Sequence, residues 1–179
     1  MKFKDFLIEN MEKIYQQPLP YKKDDLEPIM SEETLDYHFD GLAKKYFERY
    51  NEGEGDPKFN YGGAKLHNIY FAQFCQPDTS KYGGLAKAKI DRKYGSLAGL
   101  KEPLLKEAMA IQGSGWVYLD YNMNIHTIRN HEYNDYMDIV LLIDWWEHAW
   151  ALDYQADKKE YFKNIWDIIN WDVISERCQ

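Results

Sequence analysis

The spacing of apolar residues changes character along the chain. In the first half it has a helical period. Phe3, Phe6, Leu7, Met11, Ile14 and Tyr15 recur at that spacing over residues 3–16, which predicts an amphipathic helix or an ordered arm, stopped by Pro18-Leu19-Pro20. Ser31-Glu32-Glu33-Thr34 reads as a helix start, a capping Ser followed by acids in the first turn, and the helix runs to about Tyr50. In it His38, Leu42 and Tyr46 fall at i, i+4 and i+8, on one face. The Gly-rich stretch Asn51 to Pro57 is a loop, and a second helix carries Tyr61 to Phe71. The two form a helical hairpin whose apolar face needs a partner layer.

The stretches Gln76 to Ser80 and Tyr82-Gly83-Gly84 mark a boundary between halves, so the expected division is 1–82 and 83–179. Helical patterning resumes over Leu85–Tyr94 and Leu97–Ala110. It then gives way to strands at Trp116–Tyr121 and Ile125–Arg129, around an Asn122-Met123-Asn124 turn. Ile139 to Ile143 is a short run rich in β-branched residues and reads as a buried strand. Residues 161–172 read as an aromatic-faced amphipathic helix.

Composition narrows the classes. The chain has 179 residues, enough for one domain or two small ones with a real core. A formal net charge of −8 argues against nucleic acid or anionic lipid as the main partner. No stretch approaches the apolar length that spans a bilayer. The first residues, Met1-Lys2-Phe3-Lys4-Asp5-Phe6, carry charges where a signal peptide needs an unbroken apolar region, so the expected location is cytoplasmic. Cys75 and Cys178 are far apart and lack a CxxC spacing, which suggests free thiols in a reducing cytosol.

Candidate chemistry concentrates in Asp144-Trp145-Trp146-Glu147-His148-Ala149-Trp150. Asp144 stands where the third strand leaves the core, and His148 lies four residues on, in what reads as the start of a helix. A carboxylate and an imidazole walled by indoles offer two ligands to a transition metal. The same pair fits a structural Asp–His hydrogen bond under an aromatic core. A histidine on a buried helix face, as His38 is, is more often a satisfied core residue than a ligand when taken alone. His126 reads as a strand surface residue with no role.

Asp144 to Ala149 resembles the C-terminal metal signature of the iron/manganese superoxide dismutases. Glu33 to Phe39 resembles that family's first-ligand helix, and Tyr61 to Phe71, with Gly62-Gly63 ahead of His67, its second. Tyr94-Gly95-Ser96-Leu97, Gly113-Ser114-Gly115-Trp116 and Tyr161 to Asp172 resemble further family phrases, so the likeness runs from about residue 18 to 177. It implies an α+β fold: an N-terminal antiparallel helical hairpin packed on a C-terminal α/β domain with a small three-stranded antiparallel sheet. It implies one iron or manganese ion per chain, with His38, His67, Asp144 and His148 as ligands and superoxide as substrate.

The likeness also assigns supporting roles. Tyr46 matches the family's active-site tyrosine. His131 stands where many members place a glutamine that hydrogen-bonds the metal-bound solvent. Gly63 stands where iron-type members supply that glutamine, which leaves His131 without a rival for the space. Trp116 and Trp146, with Phe71 in place of a tryptophan, wall off bulk water. Glu147 matches the residue that reaches His148 of the partner subunit in a homodimer, and Arg177 an arginine of the access funnel. Besides Phe71, four positions depart from the family pattern. Leu42 and Ala151 replace a histidine and a tyrosine of the gateway, Gly41 replaces a funnel lysine, and Ile29 replaces a histidine that is not a ligand. Two other readings stand beside the dismutase: a non-catalytic homologue with an interaction or structural role, and a different metal redox enzyme using the same tetrad.

Overall fold

The computed structural model describes residues 12–179. Most of the predicted helix over 3–16 lies outside the described residues. From Glu12 to Leu19 the chain has no regular structure and is an ordered arm laid along the hairpin. Asn51 exchanges two hydrogen bonds with the backbone of Ile14, at 3.0 and 2.8 Å. Asn68 does the same for the next turn of the arm, accepting from Gln17 N and donating to Tyr15 O, each at 3.0 Å. Side-chain amides thus satisfy backbone groups that no helix or sheet satisfies.

The first long helix, α1, is continuous through Glu32–Leu35, Asp36–Ala43 and Lys44–Glu52. Ser31 caps it by accepting from Thr34 N at 3.1 Å, and Gly53 ends it in the left-handed conformation, φ 67°. Its middle segment is wound as a π-helix. The wider turn breaks the predicted straight row: His38 is fully buried, whereas Leu42 and Tyr46 are half-buried. Lys23, from the preceding 3-10 turn, pairs with both Asp36 and Asp40 on the outer side of that segment. Asp56 caps α2, Pro57–Phe71, with Pro57 in its first turn. Helices α3, Gly84–Tyr94, and α4, Leu97–Ala110, follow, the latter capped by Ser96 on Gly99 N at 3.0 Å.

Strands β1, Gly115–Leu119, β2, Ile125–Arg129, and β3, Leu141–Asp144, form an antiparallel sheet in the order β2-β1-β3. β1 is central and buried throughout, while β2 keeps Ile128 inside and turns His126, Thr127 and Arg129 out. β1 stops at Leu119 because Asp120 Oδ1 gathers the N–H groups of Asn122 and Asn124 into a turn, each at 2.8 Å. β3 starts later than the apolar run and ends on Asp144, which lies opposite Trp116 of β1. Its outer edge is closed by the buried Gln73, whose amide donates to Leu142 O and accepts from Leu142 N at 3.1 Å.

After a 3-10 turn, Glu147–Ala149, come α5, Ala151–Tyr154, α6, Lys158–Asn164, a second 3-10 turn, Ile165–Ile168, and α7, Trp171–Glu176. The single helix expected over 161–172 is therefore cut. Ile169 bridges Phe74, Cys75 N donates to Ile168 O and Asn170 N to Gln73 O, both at 2.8 Å. Those bonds hold Ile169 extended, and Asn170 then caps α7. One buried cluster joins Leu66, Tyr70 and Phe74 of the first half to Trp116, Trp145 and Ile165 of the second.

Candidate metal centre

Four side chains from four elements converge at the meeting of the hairpin and the sheet: His38 from the π-wound part of α1, His67 from α2, Asp144 from the end of β3, and His148 from the 3-10 turn. His148 sits in that turn, not in the helix start expected for it; the tighter turn returns the imidazole toward Asp144. The Nε2 atoms of His38, His148 and His67 lie 3.3, 3.5 and 3.9 Å from Asp144 Oδ2, and those of His38 and His67 are 3.1 Å apart. One ligand atom from each of the four fits within a 4.8 Å span. His38, His67 and Asp144 are buried, and His148 is 12% exposed.

This cluster is costly without a cation. Asp144 Oδ2 and His148 Nε2 are buried and have no hydrogen-bond partner, and an unsatisfied buried polar group costs about 1–3 kcal/mol. Burial is the main force on the imidazoles of His38 and His67. It lowers His38 to about 4 and His67 well below its ordinary value, with neighbouring histidines adding to the effect. For Asp144 burial pushes upward, but the close approach of the His148 and His38 imidazoles prevails and holds it below the usual carboxylate range. Burial thus keeps His38 and His67 neutral and Asp144 stays a carboxylate, the protonation states in which such groups bind metal. The donor set fits a first-row transition ion such as iron or manganese.

Supporting groups fix the orientations. His67 Nδ1 bonds Gly63 O at 2.6 Å, which leaves Nε2 with its lone pair facing the cluster. Trp146 N donates to Asp144 Oδ1 at 2.8 Å, which reserves Oδ2. Tyr161 donates to the carbonyl of Asp144 at 3.2 Å and meets the hydroxyl of Tyr70 at 2.9 Å. Phe71 packs edge-on to His38 at 4.8 Å, and Trp116 edge-on to His67 at 5.1 Å.

His131 follows β2, two residues beyond Arg129, and is buried. Trp116 Nε1 donates to its Nδ1 at 3.2 Å, so the neutral ring carries its proton on Nε2, a buried donor without a partner. Burial lowers its pKa to about 3. Trp146 stacks on His131 at 4.5 Å and on His148 at 5.6 Å, joining it to the tetrad. Tyr46 stacks on His67 at 5.4 Å and meets His131 edge-on at 4.8 Å. Burial, with the charge of Asp144 adding, raises the Tyr46 phenol to about 12.

Two other candidates stand apart from this cluster. Glu147 is exposed. The Arg177 guanidinium hydrogen-bonds Val140 O at 3.2 Å and Ile69 O at 2.9 Å, strapping α2 to the lead-in of β3. His126 is exposed and pairs with Asp120 at 2.9 Å. Sequence reasoning missed Gly62, Tyr70 and Tyr161. Gly62 had a readable signal, the Gly-Gly pair. The tyrosines had none, because their partners are distant in sequence.

The family model of the iron/manganese superoxide dismutases, C-terminal domain, matches residues 82–177. Over 199 residues the chain is 32% identical to the iron superoxide dismutase of Sulfolobus acidocaldarius, covering 93% of this chain and 94% of the relative. It is 31% identical to the Mn/Fe superoxide dismutase of Porphyromonas gingivalis, covering 89% and 96%. It is 33% identical to the mitochondrial manganese superoxide dismutase of Schizosaccharomyces pombe, covering 89% and 85%. With two histidines from the hairpin and an Asp–His pair from the sheet side meeting in one buried cluster, the chain belongs to the iron/manganese superoxide dismutases.

Proposed function

We infer that the chain disproportionates superoxide to oxygen and hydrogen peroxide at one iron or manganese ion held by His38, His67, Asp144 and His148. The observation that carries this reading is the convergence of the four donor atoms, two of them buried without any other partner. When bound, the ion supplies the one-electron couple that takes an electron from one superoxide and returns it to a second. Three neutral imidazoles against one carboxylate leave the centre net positive, which favours a small anion. A non-catalytic homologue would be free to lose ligands, and all four stand.

The remaining roles are our reading of the residues around the tetrad. His131 offers the proton on Nε2, and Tyr46, packed on both His131 and His67, supplies the neighbouring hydroxyl. These two hold and move the protons that peroxide formation consumes. Trp116, Trp146 and Phe71 exclude bulk water. Gly63 makes room for His131. Arg177 acts by fixing the lead-in of β3, and through it Asp144, relative to α2. We further read the chain as a hairpin unit, 1–82, and an α/β unit, 83–179, that assembles as a homodimer through Glu147. Leu42 and Ala151 give that dimer a gateway without the usual polar pair.

Among the described residues no helix is long and apolar enough to cross a membrane. Cys75 and Cys178 are free thiols, which supports a reducing cytosol.

Metal analysis paired with a superoxide assay tests the function. One ion per chain with activity is expected, and His148→Ala should abolish tight binding. A fully loaded protein that leaves superoxide untouched would overturn it.

A further inference from the structure

Two buried phenols take no part in the chemistry assigned above. The ring of Tyr70 lies 5.7 Å from that of His38 and 5.9 Å from that of Trp116. Its hydroxyl meets that of Tyr161 at 2.9 Å, and Tyr161 donates onward to the carbonyl of Asp144. From Tyr161 the next oxidisable rings are Trp150 at 5.7 Å and Tyr154 at 6.0 Å, with Trp145 5.3 Å from Trp150. Tyr154 is half-buried and donates to Ile29 O at 2.6 Å. An unbroken file of electron-rich rings thus joins the ligand His38 to a part-exposed tyrosine. Packing accounts for the rings but not for the hydroxyls, since each buried hydroxyl carries a desolvation cost that phenylalanine would avoid.

We propose that this file passes electrons inward when hydrogen peroxide reacts back at the metal site, so that the oxidising equivalents end on Tyr154 and not on the ligands. The proposal rests on the dismutase reading for the source of the peroxide. Reduction of one peroxide to two waters takes two electrons and two protons, in two one-electron steps. Tyr154 is the outer phenol of the file, so it serves both steps in turn: it loses an electron through the file and its proton to solvent, and a solution thiol reduces it again. The balance is H2O2 + 2 RSH → 2 H2O + RSSR with Tyr154 as the carrier, and the first step alone leaves the Tyr154 phenoxyl radical. Tyr161 and Tyr70 are oxidised and re-reduced in passing. Their protons stay in the Tyr70–Tyr161 and Tyr161–Asp144 carbonyl hydrogen bonds during the passage, so the buried pair undergoes no net change.

The test adds peroxide to the iron-loaded protein with a nitroso spin trap and maps the labelled residues by peptide mass spectrometry. Label on Tyr154 is expected, and it should be largely lost in Tyr161→Phe and in Tyr70→Phe, with oxidation rising on Trp116 and His38. Tyr70→Phe leaves the bond to the Asp144 carbonyl in place and serves if Tyr161→Phe does not fold. Label on Tyr154 at the parent's level in the folded variants would overturn the proposal. So would an unlabelled Tyr154 in the parent, or equal label in the metal-free protein. Because peroxide is added directly, a superoxide assay on the same samples reports separately on the dismutase reading.

Discussion

Gly63 and His131 occupy one shared volume. A Cβ on Gly63 would lie 3.1 Å from His131 Cδ2 and 2.8 Å from Tyr46 Cγ. The neighbouring Gly62 is tighter still, with a Cβ only 2.0 Å from the carbonyl oxygen of His131. The glycine pair on α2 is thus what admits His131 and Tyr46 to the edge of the tetrad. In Gly63→Ala the neighbours that give way are side chains, so we expect metal content to hold while turnover falls. In Gly62→Ala the obstacle is backbone, and we expect a loss of stability of about 1–3 kcal/mol, the usual cost of overpacking. Urea unfolding and the superoxide assay on both variants check this; equal behaviour of the two would refute the distinction.

The pH dependence of the metal-free protein follows from the buried histidines. His38 is lowered to about 4 and His131 to about 3 from an ordinary 6.5. The unfolded chain therefore takes up protons before the folded one as pH falls. The stability from these groups is complete above 6.5 and is lost as pH falls toward 4 and then 3. For His38 the loss amounts to about 3 kcal/mol across that window. Asp144, also held below its ordinary value, adds a loss of the same sign at lower pH. Urea unfolding of chelator-treated protein between about pH 7 and pH 4.5 measures it. A flat profile would show that these imidazoles are not buried neutral.

Gln73 predicts a purely structural effect. It satisfies both backbone groups of Leu142 on the open edge of β3, two residues before Asp144. Gln73→Leu should leave that N–H and C=O without partners, at about 1–3 kcal/mol for each unsatisfied group. It should also loosen the strand that presents Asp144 and weaken metal retention. Unfolding midpoints and metal content after dialysis are the measurements. Parent-like values in both would mean that water replaces the amide without cost.

The oligomeric state is a separate question from the tetrad. Glu147 is exposed and has no ion-pair partner among the described residues, although it adjoins His148. We expect a homodimer in which it pairs across the interface, and sedimentation at micromolar concentration should find two chains. A monomer would instead point to Leu42 and Ala151 as the cause.

The tetrad was legible through the family resemblance: local pattern alone offered Asp144 and His148 as two possible ligands and read His38 as a core histidine, and only the flanking phrases, a capped helix start before His38 and a glycine pair before His67, tied the four together. The π-winding of Asp36–Ala43 was not legible, because its apolar spacing still fits an ordinary helix. The break at Ile169 was hidden for the same reason. The periodic pattern continues through it, and the cause is a bridge to Phe74, far away in sequence. Gln73 read as an ordinary polar residue, since nothing local announces that a strand edge will need it. In the C-terminal turns, residue types foretold the ligand but not the geometry, because a 3-10 turn and a helix start carry the same local signals.

His131 offers the sharpest test of the outer groups. Trp116 occupies its Nδ1, so the ring can give a hydrogen bond only through Nε2, and that proton has no acceptor among the described residues. Donation to a solvent molecule bound at the metal would satisfy it and would favour one charge state of the ion over the other. In His131→Gln the donor remains, on a flexible stem that reaches differently. We expect full metal content and a changed ratio of activity between iron-loaded and manganese-loaded protein. In His131→Ala the donor is lost and Trp116 Nε1 is left unpaired. Metal should still bind, because the four ligands are untouched, but turnover should fall roughly 10–100-fold, as outer-sphere losses commonly do. Metal content, and activity with each metal for the parent and both variants, decide the matter. If both variants match the parent with either metal, His131 is a packing residue against Trp146, and proton handling falls to Tyr46 alone.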